Sequence, residues 1–267
     1  MRVHRGLGEA AADAALRGRS VALGVFDGVH LAHRRIIRRA VAAARKLGAR
    51  ATVLTFDPHP KNVLFPDKRR PILQSLEHRL RLFSEMGVDE AVVIRFDRRF
   101  AATTAEGFLR LLTRRLDART VCVGHDFRFG RHGRGDTELL RSWAAATGRR
   151  VWIEPPYKVG GEVVSSTLIR GLVLKGELGR ASRLLGRRVS VYGNVVRGHG
   201  RGRKIGFATA NLNPHHETLP PQGVYAAWGT VRGRRVAAVV HIGPRPTFAE
   251  KDPSIEVHFL TPQPRLY

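Results

Sequence analysis

The stretch that decides the fold is Gly24-Val25-Phe26-Asp27-Gly28-Val29-His30-Leu31-Ala32-His33. It follows a short β-rich run, Ser20–Gly24, and opens the segment Leu31–Leu47, in which apolar residues recur at helical spacing. A strand that turns directly into a helix is the first part of a βαβ unit. We expect an α/β domain with a binding site at this turn, because ligands of such sheets bind at the carboxyl ends of the strands.

The same alternation continues outward from this motif as far as residue 185. Further strands are predicted at Ala51–Phe56, Glu90–Ile94, Thr120–Gly124 and Arg150–Glu154, and further helices at Leu76–Met86, Ala105–Leu116 and Thr137–Thr147. Strands separated by helices of this length indicate a parallel sheet. Residues 1–185, called the first half below, are therefore expected to form a Rossmann-like α/β domain.

The pattern changes after Leu185. Strands are predicted at Arg188–Val196, Gly223–Arg232, Arg234–Ile242 and Ser254–Leu260, with Gly, Pro and Asn at the turns and no helix. The junction Arg232-Gly233-Arg234 is typical of a hairpin. Residues 186–267, called the second half below, are expected to form a small antiparallel β-barrel, with the domain boundary near Gly186.

The net charge of +25 raises nucleic acid or an acidic membrane as a binding partner. The excess positive charge is +17 in residues 1–185 and +8 in residues 186–267, so it is spread along the chain and forms no basic tail. An arginine-rich, solvated surface is the preferred interpretation, and attraction of anionic substrates is the second. No specific nucleic acid and no membrane is therefore predicted as a partner, and the sequence predicts no oligomeric state.

Cysteine content and hydropathy indicate the compartment. The single cysteine, Cys122, excludes an intrachain disulfide framework and is typical of a reducing cytoplasm. It lies in the apolar run Val121-Cys122-Val123, so a buried strand thiol is expected rather than a reactive one. No apolar run is long enough to span a bilayer, and Glu9 and Asp13 interrupt any secretory leader. A cytoplasmic protein is expected.

His30 and His33 lie three residues apart in the first turn of a predicted helix, on one side of it. The positive end of a helix favours an anion, and imidazoles there can donate hydrogen bonds to a triphosphate during phosphoryl transfer. Gly28 permits the close approach of strand and helix. Two unrelated surface histidines and a metal site are the alternatives, and a metal would need a third ligand.

A second motif, Val164-Ser165-Ser166-Thr167-Leu168-Ile169-Arg170, enters the last helix of the first half. A hydroxyl residue at the N-cap followed by exposed amides forms a phosphate cradle. Arg170 lies one turn after Ser166, so its guanidinium can return to the same anion. A capped helix with a solvated arginine is the alternative.

Two further motifs follow strands between these positions: Thr55-Phe56-Asp57-Pro58-His59-Pro60 and Gly124-His125-Asp126-Phe127-Arg128-Phe129-Gly130. The second combines aromatic rings with a cation and flanking glycines, which suits a flat aromatic ligand and its phosphate. Phe127 and Phe129 could equally be core side chains beneath the loop.

In this order the four motifs resemble the bacterial bifunctional riboflavin kinase/FMN adenylyltransferases, also called FAD synthetases. The segments Phe96–Ala101 and Ala181–Arg187 extend the resemblance, which runs over nearly the whole chain. The family's His-x-Gly-His reads His30-Leu31-Ala32-His33 here, and Ala32 is a small departure. The resemblance implies that residues 1–185 are a nucleotidyltransferase domain that joins the AMP of ATP to FMN, with Mg²⁺ neutralising the phosphates.

The resemblance also implies roles for individual residues. His30, His33 and Arg170 would be catalytic. The phosphates of ATP would be held at Gly24, Phe26, Asp27, Gly28, Ser165, Ser166 and Thr167. The flavin of FMN or FAD would lie near Asp57, His59, Asp126, Phe127 and Arg128.

The second half resembles the riboflavin kinase barrel of the same family. The nucleotide loop would be formed by Gly200, Gly202, Arg203 and Gly206. Thr209 and Asn211 would bind Mg²⁺, and Glu256 would be the general base that takes the proton of the riboflavin 5′-hydroxyl. A strand carboxylate facing solvent is the alternative for Glu256.

Two departures concern this second half. Ala208 replaces a proline of the family, and the family continues beyond the position of Leu266-Tyr267 with a strand and a helix that cover the flavin. The kinase barrel is therefore expected to be incomplete and slow. A monofunctional FMN adenylyltransferase with an inactive kinase remnant, another nucleotidyltransferase such as a cytidylyltransferase, and an arginine-rich RNA- or membrane-binding module remain as alternatives.

Overall fold

The computed structural model describes residues 1–12, 18–69, 71–196, 209–215, 217–231, 233–243 and 254–261. The first half contains, in chain order, β1 (Arg2–Arg5), α1 (Leu7–Ala12), β2 (Arg19–Leu23), α2 (Leu31–Leu47), β3 (Arg50–Asp57), α3 (Pro60–Leu64), α4 (Leu76–Glu85), β4 (Glu90–Arg95), α5 (Arg98–Ala101), α6 (Ala105–Arg114), β5 (Ala118–Gly124), α7 (Thr137–Ala146), β6 (Arg150–Glu154), β7 (Lys158–Val159), β8 (Glu162–Val163), α8 (Ser166–Leu174) and α9 (Leu178–Leu185).

Six strands of the first half form one sheet in the order β1-β4-β3-β2-β5-β6, and every neighbouring pair in it is parallel. From β2 the chain proceeds outward through β3 and β4, then returns to place β5 on the other side of β2. The direction of winding thus reverses between β2 and β5. This switch point opens a crevice at the carboxyl ends of the two strands, where open α/β sheets bind ligands.

The predicted parallel sheet is confirmed, and α2 occupies the residues expected from its apolar spacing. His30 caps its start, and Gly48, with φ of 58°, caps its end in the left-handed region. Its buried side chains include Ile37, Ala40 and Ala44, which recur every three or four residues and pack against the sheet. This packing fixes the N-terminus of α2 beside the switch point.

Cys122 lies in the middle of β5 and is fully buried with Ala22, Ile37 and Val53. Burial raises the pKa of its thiol to about 12, so the thiolate is scarce at neutral pH. The expectation of a buried, unreactive strand thiol is confirmed.

The second half contains β9 (Asn194–Val196), β10 (Thr209–Asn213), β11 (Gly223–Val231), β12 (Arg234–Gly243) and β13 (Ser254–Phe259). These strands form an antiparallel sheet in the order β11-β12-β13-β10-β9. Ala238, Ile242, Ile255 and Val257 form its buried face. Within the described residues the sheet has edges at β9 and β11, so what is seen of the predicted barrel is an open sheet.

Two strand boundaries in the second half differ from the sequence-based prediction. Of Arg188–Val196, only β9 is a strand, because the residues before it bond to side chains: the Val189 amide donates to Ser182 Oγ and the Tyr192 amide to Glu217 Oε2. Thr209–Asn213, for which no strand was predicted, is the strand β10. In the first half, β1 and α1 were not predicted.

Among the helices of the described residues, none is both long enough and apolar enough to cross a membrane.

Candidate active site

The turn from β2 to α2 is held in a conformation that few residues adopt. Phe26, Gly28 and Val29 have φ values of 54°, 92° and 40°. A Cβ atom at Gly28 would lie 2.8 Å from Leu73 Cδ1, so both the backbone angle and the close approach require glycine. Phe26 is buried and its ring meets His33 edge to face at 5.3 Å between centroids. The turn is thereby anchored beneath the histidine pair.

His30 and His33 lie together at the N-terminus of α2. Their rings stack, with centroids 3.5 Å apart and planes at 18°. His30 is the N-cap residue, and its Nδ1 accepts a hydrogen bond from the His33 amide at 3.3 Å. Because Nδ1 acts as an acceptor, the proton of a neutral His30 lies on Nε2, which is a donor.

Both imidazoles are neutral at pH 7. Burial, followed by the charge of Arg187, lowers the pKa of His30 to about 3. Burial also holds the pKa of His33 well below its usual range, and His30, Arg79 and Arg187 add to this effect. An anion bound here would offset these positive charges, so the site favours a ligand such as a phosphate.

Two arginines that were given no role from the sequence alone surround this turn. Arg79 of α4 is buried and donates to the Val25 carbonyl at 2.7 Å and to Thr55 Oγ1 at 3.0 Å. Arg187 donates to the Gly28 carbonyl at 2.8 Å and to the Val29 carbonyl at 3.2 Å. Neither contact has a local sequence signal, because each partner is distant in the chain.

Asp27 uses its carboxylate on protein groups. Oδ1 accepts from the amides of Leu73 and Gln74 at 2.8 and 3.1 Å, and Oδ2 accepts from Arg170 Nη2 at 2.7 Å. Its backbone carbonyl accepts from Ser166 Oγ at 2.8 Å. The side chain predicted to lie at the phosphates therefore ties the β2–α2 turn to the start of α8 and orients Arg170.

The second motif forms the start of α8. Ser165 is the N-cap and accepts from the Leu168 amide at 3.2 Å, while Thr167 is exposed. Arg170 Nε is buried and has no hydrogen-bond partner within the described part of the chain. The structure thus brings Arg170, Ser166 and the histidine turn together around Asp27. An arginine with an unused donor at a helix start is suited to binding an anion.

Asp57 and His59 lie at the carboxyl end of β3. Asp57 Oδ1 is 3.7 Å from Arg79 Nη2, and burial raises the pKa of this carboxyl. His59 caps α3 by accepting from the Lys61 amide at 3.1 Å, and burial lowers its pKa. Arg79 therefore links Asp57 to the β2–α2 turn, through its bond to the Val25 carbonyl.

The loop after β5 is divided between core and surface. Phe129 is buried against Phe108, and Phe127 stacks on Phe129 with centroids 5.7 Å apart. Asp126 is exposed, and the exposed Arg128 donates to the Gly133 carbonyl at 2.9 Å. Phe129 is thus a core side chain beneath the loop, as the alternative interpretation predicted. Phe127 packs against the same core cluster.

A cavity of about 710 Å³ opens beside this loop. Its lining includes four aromatic rings, those of Phe65, Phe96, Phe100 and Phe108. The Phe96 amide donates to the Asp57 carbonyl at 3.0 Å, which joins the cavity wall to the end of β3. None of the predicted site residues is among those that line it. Phe96 and Phe100 belong to a motif that was noted without a role, and only the fold shows that they form a pocket.

The candidate kinase residues share one face of the second sheet. Asn211 of β10 and His241 of β12 both pair with Glu256 of β13, and Thr209 pairs with His258. Alternate residues of a strand share one face of the sheet. Thr209, Asn211 and Glu256 therefore lie on the face opposite to the one that contains the buried Ile255 and Val257. Gly200, Gly202, Arg203 and Gly206 lie outside the described residues. Within those residues no cluster of three His, Cys, Asp or Glu side chains could hold a metal ion.

A parallel sheet whose switch point carries a neutral histidine pair at one helix N-terminus and an arginine from another defines a nucleotidyltransferase-like α/β protein. Comparison with known families agrees with this class. The FAD synthetase family model matches residues 12–168, and the riboflavin kinase model matches residues 185–267.

The relatives found are named for both activities. The bifunctional riboflavin kinase/FMN adenylyltransferase of Escherichia coli K12 is 37% identical over 247 residues, which cover 92% of this chain and 79% of the relative. The Bacillus subtilis protein of the same name is 34% identical, with 89% and 77% covered. A crystal structure described as a macrolide-efflux protein from Streptococcus pneumoniae matches with a TM-score of 0.81 at 30% identity, covering 99% of this chain and 86% of that one. The chain belongs to the bifunctional riboflavin kinase/FMN adenylyltransferase family.

Proposed function

We propose that this chain makes FAD in two steps, with riboflavin phosphorylated to FMN by residues 186–267 and FMN adenylylated by residues 1–185. The observation that carries the proposal is that Arg170 binds Asp27 in the same turn that leads to the stacked His30 and His33, in a chain whose two parts match the two enzyme families in order. The end of α9 at Leu185, followed by the left-handed cap Gly186, supports the boundary.

In the adenylyl-transfer step, an oxygen of the FMN phosphate attacks the α-phosphorus of ATP. The bond from that phosphorus to the bridging oxygen breaks, and pyrophosphate leaves with the electron pair. His30 Nε2–H, the amides at the start of α2 and the guanidinium of Arg170 stabilise the charge that develops on the phosphate oxygens. No covalent enzyme intermediate is needed, because positioning and charge stabilisation account for catalysis of this type.

Phosphate-binding roles follow for the surrounding residues. Gly24, Phe26 and Gly28 shape the turn so that the chain approaches the phosphates closely, and Asp27 holds Arg170 towards them. Ser165, Ser166 and Thr167 present the start of α8. Neutral imidazoles suit this site, since they donate hydrogen bonds without adding to the repulsion among Arg79, Arg170 and Arg187.

The aromatic cavity is the proposed place of the flavin ring. Phe65 lines this cavity and is 57% exposed, so its ring is available to stack on a flat ligand. Asp57 and His59 lie between the cavity and the phosphate site, and Asp126 and Phe127 lie on the neighbouring loop. Arg128 lies 3.6 Å from Asp136, so its role towards the FMN phosphate would require it to exchange this partner.

Mg²⁺ fits the donor types that are present. Thr209 and Asn211 offer oxygen ligands on the same sheet face as Glu256, and hard divalent cations prefer such oxygens. In the first half, both carboxylate oxygens of Asp27 accept hydrogen bonds from protein donors. The phosphates of ATP are therefore the proposed ligands of the ion there. When bound, Mg²⁺ would supply neutralisation of phosphate charge.

In the kinase step, Glu256 is the proposed general base. Its carboxylate takes the proton of the riboflavin 5′-hydroxyl while that oxygen attacks the γ-phosphorus of ATP and ADP leaves. The substrates proposed for the whole chain are ATP, riboflavin and FMN. The reducing cytoplasm stays the predicted compartment on the cysteine count alone.

The deciding experiment supplies the purified chain with riboflavin, ATP and MgCl₂ and separates riboflavin, FMN and FAD by chromatography. A second reaction starts from FMN and a third replaces ATP by CTP. We expect FAD in the reaction that starts from FMN and ATP, and no dinucleotide product with CTP. Absence of FAD at saturating FMN and ATP would overturn the adenylyltransferase proposal.

A further inference from the structure

A buried carboxylate of the second half is inserted against the first. Glu217 is 4% exposed, and it accepts hydrogen bonds from the Ser75 amide at 2.8 Å and from Ser75 Oγ at 2.7 Å. Its two oxygens also lie 3.0 and 3.2 Å from His78 Nδ1, and Oε2 accepts from the Tyr192 amide at 3.2 Å. A carboxylate that leaves water is stabilised by this number of donors, and removing it would leave all of them unpaired.

The partner of Glu217 is a short segment, residues 72–75, called the bridging loop here. Thr218 donates to the Ile72 carbonyl through both its amide, at 2.7 Å, and its hydroxyl, at 2.8 Å. Ser75 is also the N-cap of α4, with its Oγ accepting from the His78 amide. Both ends of the bridging loop are therefore fixed by residues 217 and 218.

The middle of the bridging loop faces the proposed phosphate site. The amides of Leu73 and Gln74 bind one oxygen of Asp27, and Arg170 binds the other oxygen at 2.7 Å. Three consecutive backbone amides thus donate hydrogen bonds to two buried carboxylates. The amides of residues 73 and 74 donate to Asp27, and the amide of residue 75 donates to Glu217. Because Ile72 and Ser75 are both fixed by residues 217 and 218, the two residues between them have few positions open to their amides.

The geometry points to Glu217 as a positioning residue for adenylyl transfer. It holds the bridging loop so that Leu73 and Gln74 orient Asp27, which in turn orients the guanidinium of Arg170. The second half thereby completes a site whose reacting groups all lie in the first half. This inference rests on the proposed adenylyltransferase function and adds a residue to it that neither the motifs nor the local sequence indicated.

The first test compares Glu217→Gln and Glu217→Ala with the wild type in FAD formation from FMN and ATP. Glutamine keeps the volume but places an NH₂ group against N–H donors, so we expect kcat to fall roughly three- to tenfold. Alanine removes the anchor, and we expect a fall of about ten- to a hundredfold with a smaller change in the KM for FMN, since loss of alignment acts on the transition state. Glu138→Ala, at a side chain that is 79% exposed, is the matched control and should keep the wild-type kcat.

The second test is a double-mutant cycle with Arg170→Ala. If Glu217 acts through Arg170, Glu217→Gln should lower kcat less than twofold in the Arg170→Ala background, whereas a merely structural role would lower it by the same factor in both backgrounds. Circular dichroism and cooperative thermal unfolding establish that each variant is folded. Should Glu217→Ala fail to fold, Glu217→Gln decides alone.

Three outcomes distinguish the role of Glu217 from the proposed function. A graded loss of kcat that disappears in the Arg170→Ala background supports the inference. A folded Glu217→Gln variant with kcat within twofold of the wild type, or equal losses in both backgrounds, overturns it while leaving the proposed function intact. Absence of FAD from the wild type itself would instead overturn the proposed function.

Discussion

In the first half, the candidate site lies in turns at the carboxyl ends of β2 and β3 and at the start of α8, whereas in the second half it lies on the strands themselves. The turn between β2 and α2 depends on positive φ values and on partners far along the chain, such as Leu73, Arg170 and Arg187. Glu256 instead depends on the register between β13 and its two neighbours.

The difference shows what each site is sensitive to. A parallel sheet gathers loops at its switch point, so its site can be altered from a distance through hydrogen bonds that hold the loops. In the second sheet, a register shift of one residue would exchange Glu256 with the buried Ile255 or Val257 and remove the site altogether. If the two sites act independently, a substitution in one should leave the reaction of the other unchanged.

The largest effect is expected for Glu256→Gln. Glutamine retains the size of the side chain but cannot take the proton of the 5′-hydroxyl, so FMN formation from riboflavin should fall about 10²–10⁴-fold. FAD formation from supplied FMN should remain at the wild-type rate, and Glu138→Gln should change neither. An equal loss of both activities would contradict the separation of the two sites.

Arg170→Ala should lower FAD formation and leave FMN formation unchanged, the opposite of Glu256→Gln. Removing a donor that stabilises charge in the transition state costs about 10²–10³-fold, and FAD formation should fall by that factor while FMN formation is kept. Arg141→Ala, at a side chain that is 61% exposed, is the control. If Arg170→Ala raised only the KM for ATP with kcat unchanged, Arg170 would be a ground-state binding residue instead.

A pH effect is expected from His30. The unfolded chain binds a proton at His30 below pH 6.5, whereas the folded chain does not until about pH 3, so this residue makes the free energy of unfolding fall as the pH is lowered through that range. Asparagine is also a good N-cap residue but does not titrate. Between pH 7 and 5, urea denaturation should show the wild type losing about 2 kcal/mol more than His30→Asn. Parallel losses in the two proteins would show that His30 is not buried as described.

The smallest effect is expected for Phe65→Ala. An aromatic contact contributes about 0.5–1.5 kcal/mol, so the KM for FMN should rise roughly threefold to tenfold with little change in kcat or in stability. Leu47→Ala, also at a partly exposed apolar position, should leave the KM unchanged. An unaltered KM in Phe65→Ala would place the flavin ring outside the aromatic cavity.

Much of the first half could be predicted from the sequence. Apolar spacing marked α2 and the inner strands of the sheet, because a buried helix face and buried strands require such patterns. β1 was missed, since Arg-Val-His-Arg is too short and polar to stand out and pairs only with β4 at the sheet edge. In the second half, the backbone bonds of Arg188–Tyr192 to side chains, and the strand character of Thr209–Asn213, depended on partners that local sequence does not name.

The candidate site, like the fold, could be predicted only in part from the sequence. Motifs marked His30, His33 and Ser165 to Arg170 because capping and helix periodicity are local effects. Arg79 and Glu217 lie in no motif, and Arg187 ends a motif that was given no role. Each of the three bonds to a residue more than 50 positions away. The aromatic cavity likewise joins Phe65, Phe96 and Phe108 from separate elements.

The sequence by itself determined the α/β class, the turn between β2 and α2, and the residue types able to bind phosphate, because these follow from periodicity, capping and side-chain chemistry over a few residues. The tertiary structure alone decided that Asp27 binds protein groups rather than solvent, that both histidines are neutral, and that the second half is bonded to the bridging loop beside the site. Burial and long-range hydrogen bonds decide these properties, and both exist only once distant segments are packed together.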